Sequence, residues 1–146
     1  MDRITRVTAA YGGAEGGDDM VAAAAALAGR IGAALRVASF AVRARPPYTS
    51  GVGREADAAI LEQWAQEIGF AVRGALDALD DLPPQLDPVV ASGESFGEAL
   101  EELDWEDGDL LAVGSSPTAP LARVFLGSRA SKIVRDSPVP VVVLPR

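Results

Sequence analysis

The sequence predicts an α/β domain: a parallel sheet with helices on both faces. Two patterns point to it. Short apolar, β-branched segments alternate with stretches of helical periodicity in the order β-α-β-α-β-α-β-α-β. One of the strand-like segments, DLLAVGS, is almost wholly apolar, as a strand is when both sheet faces are covered. The length of 146 residues and 49% hydrophobic content suit one domain, residues 1–146, with a full core.

The elements follow in order. Ile4 to Tyr11 mixes β-branched and small apolar residues, stops at Gly12-Gly13, and reads as a buried strand. Gly17 to Leu35 is Ala-rich and opens on Asp18 and Asp19, which suit the positive end of a helix dipole. Val37 to Val42 is a second strand, closed by Pro46-Pro47, and 48–53 form a loop. From Arg54 to Leu79, apolar residues recur every three or four positions (Ala58, Leu61, Ala65, Ile68, Val72, Leu76), predicting a long amphipathic helix. Pro83-Pro84 follows it, and Leu86 to Ala91 reads as a third strand. Ser95 and Glu98 have capping-box spacing and open a helix running to Leu103. Asp109 to Ser115 is the fourth strand, Gly127 to Asp136 a last helix with Ser128 as N-cap, and Val139 to Leu144 the final strand.

Composition narrows the chemistry. The chain has no histidine and no cysteine, which removes the commonest general base, the Ser-His-Asp triad and thiolate metal sites. No enzymatic activity, catalytic residue or resident metal is expected. A net charge of -8 repels nucleic acid, so none is expected as a partner. VAAAAALAG at 21–29 is too short and too weakly apolar for a bilayer span, so no membrane partner and a cytoplasmic location are expected.

The candidate site is the stretch GSSPTAPLARVFLGS, residues 114–128, which begins and ends on Gly-Ser. Gly114-Ser115 closes strand four, and Gly127-Ser128 opens the next helix. Ligands of such sheets sit beyond the carboxyl ends of the strands, and a helix start offers unpaired amides and a positive dipole end to phosphate. The two pairs thus form the jaws of an anion cradle. Glycines also end strands and start helices where no ligand binds, and spacing alone leaves both readings standing.

In DLLAVGSSPTAPLARVFLGSRASKIVRDSPVPVVVLP the chain resembles a universal stress protein domain of the UspA type, and the resemblance spans essentially its whole length. It implies a five-stranded sheet in order 3-2-1-4-5, flavodoxin- or Rossmann-like, of the adenine-nucleotide alpha-hydrolase-like kind. It implies ATP or AMP as ligand in the members that keep a Gly-x2-Gly-x9-Gly-Ser/Thr loop, with Mg²⁺ only alongside nucleotide. Many members carry two such domains in tandem, so this one is also readable as half of a tandem protein. Gly114, Gly127 and Ser128 match the loop, and Ser115 and Arg129 adjoin it. Pro117 stands where the second glycine would be and has no N–H to donate. Tyr11, followed by Gly12, stands where nucleotide-binding members have aspartate near the adenosine. Arg123 and Arg129 can supply phosphate attraction, or be ordinary surface arginines.

Two functions follow: a stress-response module holding ATP or AMP at Gly114, Ser115, Gly127, Ser128, Arg129, Tyr11 and Gly12, or a scaffold of the same fold that binds no nucleotide and acts through pairing. Pro138 and Pro140 place the last strand at a sheet edge, and apolar Val139 to Leu144 invites a second copy or a tandem sister domain. Six acids within residues 101–109 read as a solvated turn. Trp64 and Trp105 read as core or rim residues, and Phe125 as a loop anchor.

Overall fold

A computed structural model describes residues 3–11, 17–42, 51–80, 82–85, 87–115 and 127–145, with side chains 17–18, 51–58 and 61 not among those described. The elements are β1 (Arg6–Ala10), α1 (Gly17–Ile31), β2 (Ala34–Val42), α2 (Gly51–Asp77), β3 (Val89–Gly93), α3 (Phe96–Glu102), β4 (Asp109–Gly114), α4 (Ser128–Asp136) and β5 (Val141–Leu144). All strand pairs are parallel, and the sheet order is β3-β2-β1-β4-β5. Strand order therefore reverses between β1 and β4.

Period-two alternation builds a core on each face. Val7, Ala9, Leu35 and Val37 meet Val21, Ala24 and Ala28 of α1 and Ile68, Val72 and Leu76 of α2. Ala38, Phe40, Ala91, Leu111 and Val113 meet Phe96 and Leu100 of α3 and Ile133 of α4. Ala24, Ala25 and Ala28 of α1 are fully buried, and their small side chains let that helix lie close to the sheet. The expected stripe on α2 is buried at Ile68, Val72 and Leu76, and Trp64 packs half-buried at its edge.

Several boundaries differ from expectation, among them that of β5, which starts at Val141 and not Val139. α1 stops at Ile31, not Leu35, because Gly32 takes φ +70°. The Ala33 amide reaches Ala28 O (2.8 Å) and the Gly32 amide Gly29 O (3.4 Å), a Schellman stop that frees Ala34 to start β2. Gln85 makes one bridge to Leu35, but Pro88 has no N–H, and continuous pairing starts at Val89 and runs to Gly93. α2 begins at Gly51, inside the expected loop.

The cap of α3 forms as expected on one side: Ser95 Oγ accepts the Glu98 amide (3.2 Å). The Glu98 carboxylate reaches one residue further back, to the Glu94 amide (2.7 Å), rather than to Ser95. Gly93 lies directly beneath this turn; a Cβ there would stand 2.7 Å from Ala99 N and from Glu98 Cβ.

Candidate functional site

The carboxyl edge of the sheet gathers the ends of β1 and β4 at the point where strand order reverses, and α4 starts on that side because it connects parallel β4 to β5. Gly127, not Ser128, is the N-cap of α4, with φ -65° and ψ 169°. Its carbonyl accepts the first helical bond, from Ser131 N–H (2.9 Å). The amides of Ser128, Arg129 and Ala130 thus precede the helix's own bonding. Ser128, Arg129 and Lys132 are exposed. Those amides, with the dipole end and two cations of the same helix, fit a phosphate group.

The other expected site residues have packing duties. Gly114 ends β4 under α1: a Cβ there would stand 2.9 Å from Met20 Cγ and 3.4 Å from Met20 Cβ. The Ser115 amide donates to Leu144 O (2.9 Å) and so extends the β4–β5 ladder. Tyr11 donates its amide to Ala38 O (2.8 Å) and is buried in the α1-side core with Met20. Gly12, Pro117, Arg123 and Phe125 lie outside the described residues. Among the described residues no group of three or more Asp or Glu side chains is placed to hold a metal ion, and no helix is long and apolar enough to cross a membrane. A cleft of about 620 Å³ is lined by Leu35 and Val37 from the amino half of β2, by Val72 and Leu76 of α2, and by Pro88 ahead of β3.

The opposite, amino edge holds a charged cluster that corrects the reading of residues 101–109 as only a solvated turn. Asp109, the first residue of β4, is buried. Its carboxylate accepts Arg6 Nε and Nη2 (both 2.6 Å) and the Glu106 amide (2.7 Å). The Asp104 carbonyl accepts Arg6 Nη2 (2.8 Å) and Arg36 Nη1 (3.1 Å). Arg36, near the amino end of apolar β2, donates Nε to buried Thr8 Oγ1 (3.0 Å) and lies over the Trp105 ring, 5.1 Å from its centroid. Trp105 is held by its own Nε1 bond to Leu100 O (2.7 Å). Arg36 Nη2 is buried with no hydrogen-bond partner.

Burial pushes the Asp109 carboxyl up, but the Arg6 bond, the Glu106 amide and the fields of Arg6 and Arg36 outweigh it, and the group sits below its usual range. The same Asp109 bond raises Arg6 against the opposing cost of burial. Arg36 is lowered by burial and then by Arg6, with Asp109, Asp104 and Glu106 opposing. The sequence signal for this cluster is the presence of Arg6 and Arg36 within apolar strands, where cations are rare unless paired.

A profile of the universal stress protein family matches residues 3–145. A universal stress protein of Mycobacterium tuberculosis is 42% identical over 149 aligned residues, covering 99% of this chain and 49% of that protein. The chain therefore spans about half the length of the curated relatives it matches. Among solved structures, a universal stress protein family member from Burkholderia pseudomallei superposes with a TM-score of 0.64 at 17% identity, covering 100% of this chain and 99% of the other. A universal stress protein crystallised in complex with cAMP gives 0.59 at 21% identity, covering 99% and 98%. At these identities the two likenesses bear on the fold alone. With the profile spanning nearly every residue and a relative matched over almost the whole chain, this protein belongs to the universal stress protein family.

Proposed function

We propose that this chain is a stress-response module that holds an adenine nucleotide, ATP or AMP, at the carboxyl edge of its sheet, with the phosphates against the start of α4. The observation that carries the reading is the amino end of α4. Three amides precede the helix's first bond, beside exposed Arg129 and Lys132, at the position where strand order reverses. The solved relative in complex with cAMP supports a nucleotide as the class of ligand. Ser115 contributes through its side chain, since its amide belongs to the sheet. Mg²⁺ enters, on this reading, only with the nucleotide phosphates.

A second reading is a scaffold that works by pairing alone. Two observations favour it: Tyr11 and Gly114 are both committed to packing around Met20. In either case the chain acts as one domain in the cytoplasm and pairs through β5, with a second copy or a sister domain of a longer protein. Calorimetry with ATP and AMP, with and without Mg²⁺, decides between the two, together with mass spectrometry of the denatured protein for carried-over nucleotide. Binding that is abolished by Gly127→Asp, with far-UV circular dichroism unchanged, supports the first reading. No heat at millimolar nucleotide and no released nucleotide leave the scaffold.

A further inference from the structure

We infer that the Glu102 carboxylate holds the β3 edge of the sheet shut against a second copy of this chain, and that its removal lets two β3 strands pair.

β3 is the outer strand on the side away from β5, bonded only to β2. Its residues, VVASG, include two β-branched side chains, no charge and no proline, a composition that invites another strand at an open edge. The direction of each amide follows from the ladders. The Tyr11 amide donates to Ala38 O and the Ala34 amide to Thr5 O, which assigns the even residues of β2 to β1; the Leu35 amide donates to Pro84 O, on the other side. The odd residues of β2 therefore bond β3. Ser39 is level with Val90 and Ala41 with Ser92, so their bonds go to residues 89, 91 and 93. Residues 88, 90, 92 and 94 face outward.

Three of those four positions offer no donor. Pro88 has no N–H. The Glu94 amide donates to Glu98 Oε2 (2.7 Å). The Ser92 amide donates to Glu102 Oε2 (2.7 Å), and Ser92 Oγ reaches the same oxygen (3.3 Å). The first two lie beyond the ends of the strand; Glu102 closes the strand itself. Its carboxylate stands where the carbonyl of a further strand would lie. Among the described residues only Val90 keeps an outward amide with nothing across it. A second β3, antiparallel about a two-fold axis, sets Val90 opposite Ser92 of the partner copy and offers four bonds. With Glu102 in place the Ser92 amide of each copy is already taken, and like charges meet across the seam.

The placing of Glu102 carries an independent sign of this duty. It is the last residue of α3, where the negative end of the helix dipole favours a cation, and the last turn of α3 has none. A carboxylate there opposes its own helix, and the contact with the β3 edge supplies the reason for it.

Glu102→Ala frees the Ser92 amide and relieves the helix end. Glu101→Ala, one residue earlier and without a bond to the edge, makes the same change in net charge. Sedimentation velocity over rising concentration compares both with the wild type, and amide hydrogen exchange is read at Val90 and Ser92. The reference is the wild type's own state of assembly, so the result does not depend on β5 pairing or on nucleotide. Glu102→Ala is expected to add an association step roughly tenfold or more tighter than any in the wild type or Glu101→Ala, with the Val90 and Ser92 amides slowed in the assembly. A folded Glu102→Ala that assembles no further than the wild type overturns the inference. So does equal association of Glu101→Ala, or an assembly in which the Val90 amide still exchanges fast. The wild type decides the matter if Glu102→Ala does not fold: its Ser92 amide is expected to exchange more slowly than that of Val90, and equal rates overturn the inference.

Discussion

Replacing Asp109 with asparagine keeps the shape of the side chain and removes its charge. The carboxylate accepts three hydrogen bonds of 2.6 to 2.7 Å, two of them from Arg6, and its side chain is 1% exposed while that of Arg6 is 15% exposed. The substituted carboxamide would turn an N–H₂ toward the guanidinium or the Glu106 amide and leave two arginines without their buried counter-ion. Removing one member of a buried pair costs about 3–5 kcal/mol. Arg6 retains some water and the Asp104 carbonyl, so the lower end, about 3 kcal/mol, is expected. For a domain of this size that corresponds to a fall in Tm of roughly 10 °C. Urea unfolding followed by circular dichroism at pH 7 measures it. The pH dependence carries a sign. The folded Asp109 titrates below its ordinary value of 3.8, so its contribution is complete above that value and is lost as the pH falls through the folded one. The gap between wild type and Asp109→Asn should hold from pH 7 to about 5 and narrow below about 4. A loss under about 1 kcal/mol, or a gap constant down to pH 3, would refute the argument.

Further expectations concern backbone positions and the same charged cluster. Gly93→Ala forces a methyl to within 2.7 Å of the α3 backbone and should cost about 2 kcal/mol, read as a lower urea midpoint with unchanged slope. Gly32→Ala places a side chain at φ +70° and should cost about 1–2 kcal/mol by the same measurement. Thr8→Val strips Arg36 Nε of its acceptor beside an Nη2 that already lacks one; a loss of about 1–3 kcal/mol in thermal unfolding is expected. Ser95→Ala removes the acceptor for the Glu98 amide and should cost about 1 kcal/mol.

Much of the architecture was legible because it is written in local signals. Apolar DLLAVG and VVVL, the Ser95–Glu98 spacing and the Gly127-Ser128 pair each report on residues within a turn of themselves, and β4, β5, α3 and α4 form where those signals stand, α4 with its cap one residue earlier than expected. The start of β2 was missed because Leu35 and its neighbours continue an apolar helical pattern; only the backbone of Gly32 breaks it. Asp109 was misread for a different reason. Its burial depends on Arg6, distant in sequence, and no window around an acidic run contains that partner. The candidate site shows the same division. The start of α4 was visible in sequence, whereas the packing of Gly114 against Met20 is a contact between β4 and α1 that spacing does not encode.

The Arg6–Asp109 bond spans 103 positions, and the Asp104 carbonyl reaches Arg6 and Arg36 over 98 and 68. Such a clasp needs β1, β2 and β4 side by side before it can close, and it is expected to form late in assembly. Interactions that form late brake the reverse journey: breaking this one should steepen spontaneous opening far more than it slows the forward search. The amino edge of the sheet is thereby a lock on the lifetime of the folded molecule, set apart from the edge where ligands would come and go.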